Sequence, residues 1–99
     1  MINKPGPQPV DPERLAIRAL SFLAADPTRL GRFLAATGIG PAEIRAAARE
    51  SRFLAGVLDH LADDESAMLA FAREAGVSPD LIARARAALS GPPVERDVP

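Results

Sequence analysis

The sequence predicts an all-α fold, a compact bundle of about six short helices. Three observations carry that prediction: where the prolines fall, the period of the apolar residues, and the lack of any strand pattern. Ten prolines stand among 99 residues, yet four of them follow residues suited to cap a helix: Asp11-Pro12, Asp26-Pro27, Gly40-Pro41 and Ser78-Pro79. Proline in the first helical position sacrifices no hydrogen bond, because that N–H has no partner inside the helix. Between these starts the apolar residues recur with the helical period. No segment alternates with period two or gathers β-branched residues.

Each element follows from its own signals. A helix over 12–25 starts after Asp11 and buries Leu15, Ala19, Phe22 and Leu23 along one stripe. A second, over 27–37, starts after Asp26, carries Leu30, Phe33, Leu34 and Thr37, and stops at Gly38, where a left-handed residue belongs. Gly40-Pro41 opens a helix over 41–50. Ser51 caps the next, over 52–62, whose stripe is Leu54, Val57, Leu58 and Leu61. Asp64 caps 65–75, with Met68, Phe71, Ala72 and Ala75 facing inward and Gly76 as the stop. Ser78-Pro79 starts 79–89, closed by Gly91-Pro92. The remaining prolines fall in residues 1–10 and 91–99, which read as flexible tails around one domain over 11–90. Twenty alanines favour helix and let helices approach closely. A glycine inside a helix costs about 0.5–1 kcal/mol relative to alanine, so Gly31 and Gly56 are expected to mark close helix crossings.

Shifted by 38 residues, the chain partly matches itself. Asp26 falls on Asp64, Phe33 on Phe71, Gly38 on Gly76, Pro41 on Pro79 and Ile44 on Ile82. Caps and core positions coincide, so the bundle reads as two three-helix repeats, roughly 13–51 and 51–89, sharing one core. Phe22 against His60, Arg18 against Gly56 and Gly31 against Leu69 depart from the match. Charge departs too: residues 11–52 carry seven Arg and five acids, residues 53–90 three Arg and six acids. That split is able to steer a partner or a second copy.

Composition excludes several functions. With no cysteine there is no disulfide scaffold, no thiolate-bound metal and no thiol nucleophile. Lys+Arg 12 against Asp+Glu 13 gives a net charge of −1, unlike a protein that holds nucleic acid by its overall field. No apolar stretch approaches the roughly 18–20 residues that cross a bilayer, and the start of the chain lacks a signal peptide's apolar segment. The expectation is a cytoplasmic protein with no membrane contact and no cofactor.

Two local patterns have chemical potential. His60 with Asp59, Asp63 and Asp64 is the one cluster of metal-ligand types, and His60 and Asp64 are four apart. Asp64 is already a helix cap and a third strong donor is missing, so a histidine at the bundle's rim is the favoured reading and no metal is expected. The segment Gly38-Ile39-Gly40-Pro41 resembles the glycine turn of helix-hairpin-helix DNA-binding motifs, whose amides approach a phosphate. Arg45, Arg49 and Arg52 follow at helical spacing as a basic stripe. The second copy, Gly76-Val77-Ser78-Pro79, lacks the second glycine, and Ala83 and Ala87 replace two of the arginines. A structural turn explains both copies, phosphate binding only one. Arg14, Arg18 and Glu65 read as a solvated face, and Phe22, Phe33, Phe53 and Phe71 as core.

Taken together, Ala19-Leu20-Ser21-Phe22-Leu23-Ala24, Arg32-Phe33-Leu34-Ala35-Ala36-Thr37-Gly38 and Phe53-Leu54-Ala55-Gly56-Val57-Leu58-Asp59-His60-Leu61 resemble a proteobacterial domain-of-unknown-function family across nearly all of 12–89. The resemblance implies a small helical cytoplasmic protein and carries over no catalytic residue or cofactor. The reading is a non-enzymatic module that binds an unknown protein partner or a second copy of itself. The alternative is weak nucleic-acid backbone binding through Gly38, Gly40, Arg45, Arg49 and Arg52. A small enzyme or metal site around His60 ranks third.

Overall fold

A computed structural model describes residues 11–90; the two proline-rich tails, 1–10 and 91–99, lie outside the described residues, as does the Gly91-Pro92 stop. Six helices and one 3₁₀ turn account for the described chain: α1 Pro12–Ala24, α2 Pro27–Thr37, the 3₁₀ turn Pro41–Glu43, α3 Ile44–Ala47, α4 Ser51–Ala62, α5 Glu65–Ala75 and α6 Pro79–Leu89. No strand occurs among the described residues.

Caps set most of these boundaries. Asp11 Oδ1 accepts from the Glu13 N–H at 3.0 Å, Asp26 Oδ1 from the Thr28 N–H at 2.9 Å, Asp64 Oδ1 from the Ala67 N–H at 3.2 Å and Ser78 Oγ from the Leu81 N–H at 3.2 Å. Each bond satisfies a donor that the first helical turn leaves without a partner. At the other ends, Gly38 and Gly76 adopt φ of 75° and 73°. Only glycine enters that left-handed region without strain.

The predicted helix over 41–50 is corrected. Its first three residues form a 3₁₀ turn, α3 spans one turn, and residues 48–50 leave the helix, with Glu50 extended at φ −104°, ψ 128°. Ser51 is therefore the first residue of α4 and not its cap; Glu50 holds the cap position without a side-chain bond. Nothing in Ala46-Ala47-Ala48-Arg49 opposes helix locally. Packing makes the break, because Ile44, Ala48 and Phe53 all lie against the core, and an unbroken helix from 41 to 62 would span about 33 Å and point α4 away from it.

α1, α4 and α6 pack on one another most extensively, with α2 against α1 and α5 against α4, α6 and α1. The core is wholly apolar: Leu15, Ala16, Ala19, Leu20 and Leu23 of α1; Leu54, Ala55, Val57, Leu58 and Leu61 of α4; Ile82, Ala85 and Leu89 of α6; Ala67, Phe71 and Ala72 of α5. α2 buries Phe33 alone and α3 buries nothing. No polar or charged side chain is buried among the described residues. One ion pair joins different helices there, Arg86 Nε to Asp59 Oδ1 at 3.3 Å between α6 and α4.

Part of the 38-residue match is seen in the helix bounds. α2 falls exactly on α5 residue for residue, and the two-residue links before them match in backbone: Ala25 at φ −72°, ψ −15° and Asp63 at φ −72°, ψ −16°. The correspondence ends at the third helix, where the single turn of α3 stands against eleven residues of α6.

Gly31 and Gly56 do not mark crossings. A Cβ built on either meets nothing within 4 Å apart from its own helical turn; the small residues in the core are alanines, among them Ala16, Ala19, Ala55 and Ala85. Both glycines sit inside helices with room for a methyl group. Gly31→Ala and Gly56→Ala are expected each to stabilise the fold by about 0.5–1 kcal/mol, read from urea unfolding followed by circular dichroism. A loss of stability at either position would mean that a hidden close contact exists there.

Candidate functional site

His60 does not meet three carboxylates. Its ring stands edge-on to Phe33, centroids 5.3 Å apart at an interplanar angle of 74°. Phe53 meets Phe33 in the same manner at 5.7 Å and 71°. His60 and Phe53 are seven residues apart on α4, two turns along one face, and together they clamp the one buried side chain of α2. Asp59 is engaged with Arg86, and Asp64 caps α5. Among the described residues no three of His, Asp and Glu converge as a metal would require.

A second aromatic pair joins α1 to α5. Phe71 of α5 packs on Phe22 of α1, centroids 5.5 Å apart at 59°. Shifting by 38 turns Phe33 into Phe71 and Phe22 into His60, so each half contributes the buried phenylalanine of one pair and the outer ring of the other.

Asp64 sits where α2 approaches α5. The Ala67 N–H holds its carboxyl below the ordinary carboxylate range, partial desolvation opposes this, and the Ser66 hydroxyl with the charges of Arg29 and Arg32 adds to the lowering. Those two arginines of α2 therefore face the N-terminus of α5 through its cap.

The glycine turn is saturated from within. The Gly38 N–H donates to Leu34 O at 2.8 Å, the Ile39 N–H to Thr37 Oγ1 at 3.3 Å and the Gly40 N–H to Glu43 Oε1 at 3.0 Å. A carboxylate thus occupies the amide that a phosphate would seek. The three arginines do not form one helical stripe, because the chain breaks between them: Arg45 lies on α3, Arg49 in the turn and Arg52 on α4. All three are exposed; Arg45 and Arg49 share a shallow depression with Ala42 and Ala46, which Arg52 does not reach.

A larger groove lies elsewhere, about 470 Å³, between α1, the start of α2 and the end of α5. Phe22 forms part of its floor, with the Arg29 guanidinium 4.9 Å above the ring centroid. Arg29 Nε also approaches Asp26 Oδ2 at 3.8 Å. A guanidinium stationed over an aromatic ring, with a carboxylate near its Nε, is a group suited to pairing with an oxyanion. Arg18, Ser21 and Glu74 complete the polar rim, and Ile17, 45% exposed, supplies the apolar one. At the 38-residue offset the sequence carries Gly56 for Arg18, Asp59 for Ser21, Asp63 for Ala25 and Ala67 for Arg29. Sequence reading passes over this groove. Arg18 looks like ordinary solvated surface, and Glu74 and Arg29 join it only through the packing of three helices.

The clamp gives one prediction. Phe33→Ala is expected to cost about 3–5 kcal/mol and His60→Ala about 1 kcal/mol, the worth of an aromatic pair, while His60→Phe keeps near-native stability. Chemical unfolding of the three variants checks it; His60→Phe as damaging as His60→Ala would deny the ring this packing role.

Asp64 gives a second. A carboxyl whose pKa is lowered by folding stabilises the fold above its unfolded pKa, near 3.8, and that contribution fades as pH falls through the folded value. Asp64→Ala is expected to lower the melting temperature at neutral pH, with the gap to the parent narrowing below about pH 4. Melting curves across pH test this; a gap that is constant in acid would show that the charge plays no part.

A family model described as "Protein of unknown function (DUF3572)" matches residues 9–92, so the chain belongs to that family. No curated protein and no solved structure matches it.

Proposed function

We propose that this member of the DUF3572 family is a non-enzymatic protein–protein interaction module that engages its partner at the α1–α2–α5 groove. The observation that carries the reading is Arg29, stationed over Phe22 with Asp26 near its Nε, beside Arg18 and the exposed Ile17. This is an oxyanion donor next to an apolar step, suited to an acidic side chain flanked by an apolar one. The reading takes the setting as the proteobacterial cytoplasm that the family resemblance implies. It takes the domain as two units offset by 38 residues, supported by the matched helices α2 and α5 and the exchanged aromatic pairs.

Nucleic-acid backbone binding through Gly38, Gly40, Arg45, Arg49 and Arg52 is the competing reading, and the two separate by mutation. Capture from native lysate, with and without nuclease, is expected to yield a protein partner that survives nuclease and is lost with Arg18→Glu/Arg29→Glu. Arg45→Glu/Arg49→Glu should leave capture intact. Fluorescence anisotropy with labelled duplex and single-stranded DNA should show no binding near physiological salt. Salt-sensitive binding abolished by Arg45→Glu/Arg49→Glu in a folded protein would reverse the assignment.

A further inference from the structure

We draw no further inference here: the strongest candidate, the apolar cavity of about 100 Å³ between α4, α5 and α6 that the buried Leu58 and Ile82 line with Met68 and Arg86, carries nothing, because Arg86 is already paired with Asp59 and nothing in the structure shows what fills it.

Discussion

The burial of Phe33 between Phe53 and His60 is the contact on which the first half of the molecule depends. α2 places no other side chain wholly in the core and α3 places none. Everything from Pro27 to Glu50 is held to the bundle by that one ring, with partial help from Leu34, Ile44 and Ala48. The other half has no such dependence. α4, α5 and α6 each bury at least three residues. The clamp also holds α2 against the bundle, and with it Arg29 at the edge of the groove.

What the sequence made legible was local. Asp26, Asp64 and Ser78 announce helix starts because a side-chain oxygen two or three residues from a free amide stabilises a helix wherever it occurs. Gly38 and Gly76 announce stops because the left-handed region excludes most other residues. These signals placed α2, α5 and α6 to the residue. The break at 48–50 carried no such signal: alanine favours helix, and only the need to bring Ile44 and Phe53 to one core overrides it. The same distinction explains Gly31 and Gly56, whose placement suggested close contact that the packing does not contain. Of the candidate site residues, Arg45 and Arg49 are neighbours and Arg52 stands apart. The groove was beyond sequence reasoning because Arg18, Arg29 and Glu74 meet only after three helices have assembled.

The interior and the surface divide the labour. Inside, no polar side chain is buried among the described residues, so hydrophobic contact supplies stability while caps and aromatic pairs supply order. Outside, the charge is uneven, basic around Arg18 and Arg29 and acidic around Asp59 and Asp63.

A segment held by one ring also has a characteristic motion. Local opening requires only that the contacts of the opening unit be lost. For residues 27–50 that means little more than withdrawal of Phe33, whereas opening α4 dismantles the centre of the bundle. The least protected amides of the domain, apart from frayed ends, therefore belong to α2 and α3. Arg29 travels with them, so the groove is not a fixed feature of the surface: each such fluctuation lifts the guanidinium from Phe22 and takes the binding edge apart. A ligand held there would in turn keep the segment closed.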